Sequence, residues 1–168
     1  SADHILPGIS PHQSPESITA FTGLAHYLEA LDKVARIGGF DLALGGHEGP
    51  TRDVYRRIEA IRAGHLRKLD RVAGIIRAAL APPTVQEVTT AMYPKVQGFD
   101  VLLALEEAGA HVEYLYQHGR LEVTNLDEVE REGIARVTEA RENHSGKDGG
   151  AIVTPFPIPI YTPRGDKS

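Results

Sequence analysis

Leu44-Gly45-Gly46-His47-Glu48-Gly49-Pro50 is the stretch on which the reading of this chain turns. Glycines before and after His47 let the backbone bend sharply and leave the space around the imidazole open. Upstream, Phe40, Leu42 and Leu44 alternate with Asp41 and Ala43, the period of a brief strand. Downstream, Val54, Ile58, Ile61, His65, Leu69, Val72, Ile76 and Leu80 recur at spacings of three and four. That spacing predicts one long helix from Asp53 to Ala81, capped by Thr51 and stopped by Pro82-Pro83. A strand end thus presents an imidazole just before a helix begins.

Toward the amino end, Ala2 to Ile9 reads as a short strand that gives way to a loop at Pro7-Gly8. Ser14-Pro15 is a helix-start signal, and Ile18, Phe21, Leu24, Leu28, Leu31 and Val34 form the apolar face of the expected helix, which Gly38-Gly39 ends. Asp3 opens the first strand and loop. An aspartate and a histidine that each leave a strand end can meet in space, and a carboxylate with an imidazole suits Zn, Fe or Mn. Asp3 and His47 are therefore the candidate metal ligands. His4 and His12 lie near them and are lesser candidates, better read as loop residues or as neighbours of the ligands. His65 reads as a packed histidine on its helix stripe; His26, His111, His118 and His144 receive no role.

Toward the carboxyl end, Thr84-Val85-Gln86-Glu87 is a capping box that opens a short helix to Tyr93. Phe99 to His118 is a further helix, with Val101, Leu105, Ala108, Val112 and Leu115 on one face. Leu121–Thr124 and Ile134–Val137 can pair as a hairpin, and helices followed by a hairpin describe a winged-helix-like module. The second helix of that module carries Asp100, Glu106, Glu107 and Glu113 and no Lys or Arg. Such a face repels phosphates, so no DNA is expected. The basic residues between Arg52 and Arg77 read as the solvated face of the long helix. Three segments result: 1–82, 83–142, and a flexible Pro/Gly-rich tail over 143–168.

Composition narrows the chemistry. The 168 residues carry a net charge of −5, are 41% hydrophobic and 24% charged, and include no cysteine. A packed core is expected, and any metal must be held by nitrogen and oxygen donors. No apolar run approaches membrane-spanning length, which gives the expectation of a soluble, cytoplasmic protein with no membrane partner.

At Asp3-His4-Ile5-Leu6-Pro7 and Gly45-Gly46-His47-Glu48-Gly49-Pro50 the chain resembles the metallo-β-lactamase superfamily, in particular its hydrolases with an added winged-helix module. The helical stretch Ile61-Arg62-Ala63-Gly64-His65-Leu66-Arg67-Lys68-Leu69 is similar to the family's His-x-x-(Arg/Lys) helix. The resemblance covers residues 1 to about 140. It implies an α+β chain: the C-terminal half of a metallo-β-lactamase αββα sandwich, then a mainly helical winged-helix-like domain. It further implies that Asp3 bridges two Zn ions (or Fe/Mn) and that His47 binds one of them. The implied chemistry is metal-dependent hydrolysis of a small-molecule ester or thioester, as in hydroxyacyl-glutathione hydrolases.

The family's His-x-His-x-Asp-His segment does not occur in this sequence, and the chain opens at Ser1 without Met. The expectation is the distal portion of a longer protein, inactive and without bound metal alone, and able to form homo-oligomers through an exposed sheet edge. The alternative is a non-enzymatic winged-helix protein with a role in assembly or regulation.

Overall fold

The structure, a computed structural model, describes residues 3–140. The tail assigned to 143–168, with His144, lies outside the described residues. In chain order the elements are α1 (Leu24–Ile37), α2 (Val54–Ala78), α3 (Val85–Met92), α4 (Asp100–Gln117), β1 (Leu121–Val123), α5 (Leu126–Glu132) and β2 (Val137–Glu139). Among the described residues no helix is long and apolar enough to cross a membrane.

The fold is organised along α2, whose 25 residues span about 37 Å at 1.5 Å per residue. Its expected stripe is its buried face: Val54, Ile58, Ile61, His65, Leu69, Val72 and Ile76 are all buried. Leu80 lies past the helix end and is fully exposed. The cap differs from expectation. Asp53 accepts the Arg56 N–H, while Thr51 exchanges two backbone hydrogen bonds of 2.9 Å with Ala43 and closes the neck of the 44–50 loop.

Two apolar clusters lie along α2. Around its first half, Ile5, Leu31 and Ala43 pack on Val54, Ile58 and Ile61. Around its second half, Leu69, Val72, Ala73 and Ile76 meet Val88 and Met92 of α3, Ala108, Val112 and Leu115 of α4, and Leu121 and Val137 of the hairpin. Each fully buried Val or Leu contributes roughly 1.5–3 kcal/mol, so the larger second cluster holds more of the stability. This cluster runs without interruption across Pro82-Pro83.

The capping box is formed as expected, with Thr84 and Glu87 side chains each bonding the other's backbone N–H. β1 and β2 pair antiparallel, Val123 opposite Val137, but the connection folds as α5. Ile134 is exposed rather than in the strand, because the Asn125 side chain takes up the Ile134 carbonyl and the Arg136 N–H.

Three elements near the amino end depart from expectation. Residues 3–9 form turns, and the consecutive burial of Ile5 and Leu6 excludes the alternation of a half-exposed strand. The helix expected from Ser14 begins only at Leu24, leaving Ile18 and Phe21 exposed. Its early N–H groups are claimed by carboxylates: Glu113 accepts from Glu16 and Ser17, and Glu16 accepts from Phe21 and Gly23. Residues 40–44 contribute one bridge, Ala43 to Thr51, so the sheet of a half-sandwich, with its exposed edge, is not formed among the described residues.

The acidic residues of α4 also have a different role from the one their composition suggests. Glu106, Glu107 and Glu113 turn inward and hold the 12–17 segment through His12, the Gln13 N–H, the Ser14 hydroxyl and the two N–H groups just named. Three basic residues of α2 also fasten elements together. Arg57 reaches the Leu6 and Ile9 carbonyls, Arg62 pairs with Asp32, and Arg77 grips Glu139.

Candidate functional site

Asp3 and His47 meet. His47 Nε2 lies 3.5 Å from Asp3 Oδ2, with the side chains 53% (Asp3) and 70% (His47) exposed. Neither loop reaches this position by regular structure, and each is fixed by polar fasteners. Glu48, in a left-handed conformation at φ 62°, turns its carboxylate to accept the Gly8 N–H at 2.7 Å. A Cβ at position 8 would lie 2.9 Å from that carboxylate, so a larger residue there would make the Glu48 side chain shift. Arg57 donates to the Leu6 and Ile9 carbonyls at 2.5 and 2.7 Å, and the Tyr27 hydroxyl donates to the His4 carbonyl at 2.9 Å.

The pair opens onto a cleft of about 670 Å³, whose other walls include His12, Lys68, Tyr93 and Glu107. His12 is already engaged, with Nε2 2.9 Å from Glu106 and Nδ1 3.8 Å from Glu107. His4 packs edge-on against Tyr27, its Nε2 is buried without a partner, and burial lowers its pKa. Two ligands on one tetrahedral zinc, at bond lengths of 2.0–2.2 Å, stand about 3.3 Å apart. The spacing and chemistry of Asp3 and His47 fit one such ion. They supply two of the three protein ligands that a catalytic zinc takes.

A second constellation, to which the sequence alone contributes only a packed His65, lies in the core. His65 of α2 is 1% exposed and His111 of α4 is fully buried. His65 Nδ1 stands 3.2 Å from His111 Nε2, with ring centroids 5.3 Å apart and planes inclined by 26°. His111 Nδ1 donates to the Glu107 carbonyl at 2.6 Å. Its Nε2 therefore carries the lone pair, His65 Nδ1 is the donor toward it, and His65 Nε2 is left as a buried acceptor without a partner. The Glu107 carboxylate receives Lys68 Nζ at 2.6 Å and the Gln13 N–H at 3.0 Å. Burial lowers the pKa of His65 to about 4, with further lowering from His111 and Lys68, and burial also lowers that of His111. Burial raises the pKa of Glu107, but Lys68, His111 and the Gln13 N–H together lower it overall. A signal is present in the sequence: Glu107 and His111, four residues apart, share a helix face with Ala108, Val112 and Leu115.

No family model matches the chain's sequence, and no curated protein matches it. Solved structures do. A β-lactamase domain protein from Burkholderia ambifaria superposes with a TM-score of 0.70 at 29% identity, over 83% of this chain and 40% of its own. A metallo-β-lactamase family protein from Thermus thermophilus gives a TM-score of 0.64 at 26% identity, over 82% of this chain and 40% of its own. The chain has the fold of part of a metallo-β-lactamase family protein. It spans about 40% of the length of these two relatives.

Proposed function

We propose that this chain is the distal portion of a metal-dependent hydrolase of the metallo-β-lactamase fold, and that Asp3 and His47 are two of its metal ligands. The observation that carries this reading is their approach to 3.5 Å across 44 sequence positions, at the mouth of a cleft. Asp3 would supply a carboxylate and His47 an imidazole to that metal, with the remaining donors supplied by a further part of the fold. Bound Zn, Fe or Mn supplies a hydroxide near neutral pH and polarises the oxygen under attack.

The chain's own residues supply the walls around that chemistry. Leu6, Ile9, Leu103 and Tyr93 give the cleft apolar surface, and its size suits a small molecule. These features support an ester or thioester substrate of the hydroxyacyl-glutathione type. Residues 83–142 are a winged-helix-like module whose role is structural, because α4 and the residues before it close one side of the cleft. α4 carries no Lys or Arg and so offers no cationic side chain of that kind to nucleic acid.

Hydrolysis of a hydroxyacyl-glutathione thioester tests this reading, in a polypeptide that joins this chain to a segment bearing His-x-His-x-Asp-His. A chelator is expected to abolish turnover, and His47→Ala to lower kcat/KM at least about 100-fold. Full turnover in chelator, or in the variant, contradicts the proposal.

A further inference from the structure

We propose that His65, Glu107 and His111 form a second divalent-metal site, of two imidazoles and one carboxylate, inside the helical core and independent of Asp3 and His47. One donor atom from each lies within 4.8 Å of the others, and all three residues are buried. The spacing of the two imidazole nitrogens, 3.2 Å, is close to the roughly 3.3 Å expected between two nitrogen ligands of one tetrahedral zinc.

The arrangement follows a general logic of helical cores, where metal sites are built from side chains that face one another across packed helices. Glu107 and His111 stand four residues apart on α4, and His65 faces them from α2. The hydrogen bond from His111 Nδ1 to the Glu107 carbonyl fixes the ring's orientation and its tautomer, so that the Nε2 lone pair points at the site. Without a cation, the two facing nitrogens share one proton, and a polar cluster stands in an apolar interface. A cation takes both facing nitrogens and the carboxylate at once, with the His65 proton moved from Nδ1 to Nε2.

Lys68 occupies the carboxylate in this structure, and it has somewhere to go. Its side chain is 34% exposed and lines the same cleft as Glu107 and Asp3. That cleft is also the access route, since Glu107 borders it. A divalent ion replaces the ammonium at Glu107 Oε1, and the ammonium swings into solvent. The Gln13 N–H stays on Glu107 Oε2 and keeps that oxygen oriented.

Zinc titration of this chain by calorimetry tests the site, in an Asp3→Ala/His47→Ala background that removes the other pair. One equivalent of zinc is expected to bind, and His65→Gln or His111→Gln, each folded by circular dichroism, is expected to abolish it. Lys68→Met is expected to tighten binding several-fold, an effect that a purely structural network does not produce. Where a histidine variant fails to fold, nitrogen NMR of the ring-labelled double variant replaces it, and zinc is expected to shift the imidazole nitrogens of His65 and His111. The absence of zinc binding in the double variant overturns the proposal, as does binding that leaves those nitrogens unmoved.

Discussion

Two of the groupings of histidine with carboxylate among the described residues, Asp3 with His47 and Glu107 with His65 and His111, differ in almost every physical respect. Asp3 and His47 sit on loops, are half or more exposed, and face each other. His65, His111 and Glu107 sit on helices, are buried, and are tied to Lys68, Gln13 and the α4 backbone. The first grouping is free to bind but has little influence on the fold. The second is embedded in the fold, so altering it disturbs packing as well as any ligand. Function and stability are therefore separable in one grouping and entangled in the other, and measurements can test that contrast.

The largest effect is expected at the buried grouping. His111→Ala removes a fully buried ring, leaves a cavity, and strands the His65 donor. A loss of about 3 kcal/mol or more is expected in denaturant unfolding. A loss under about 1 kcal/mol means that the cluster is not packed as described.

The pH dependence of stability tests the same grouping with no mutation, in the presence of chelator. His65 titrates near 6.5 when unfolded and at about 4 when folded, so between those values the unfolded chain binds the extra proton. Stability is full above pH 6.5, falls as the pH drops toward 4, and the total loss is on the order of 3 kcal/mol. His65→Gln is expected to flatten that part of the profile.

A smaller effect is expected away from both groupings. Thr84→Ala breaks the capping box of α3 and is expected to cost about 1 kcal/mol. The smallest effect belongs to the exposed grouping. His47→Ala is expected to change unfolding free energy by less than about 0.5 kcal/mol, because its ring is mostly in solvent. A destabilisation as large as that of His111→Ala would erase the contrast between the two.

What is legible in the sequence follows the same division between local and distant causes. The α2 stripe, the Thr84/Glu87 box and the span of α4 are readable because periodicity and capping are local properties. The start of α1 is not, since Glu113 claims the Glu16 and Ser17 N–H groups from almost a hundred residues away. The same distance hides the role of Glu106, Glu107 and Glu113, which composition alone turns outward. Asp3 and His47 are legible through short motifs and a family resemblance. The part played by His111 is hidden because nothing local to α4 shows that it faces His65, and the pairing of the two helices creates that site.

Anomalous scattering at the zinc edge tests the central claim most directly, on crystals of a polypeptide that joins this chain to the rest of the fold. A metal peak bonded to both the Asp3 carboxylate and the His47 imidazole is expected. Metal bound in the cleft with neither residue in its coordination shell would contradict it.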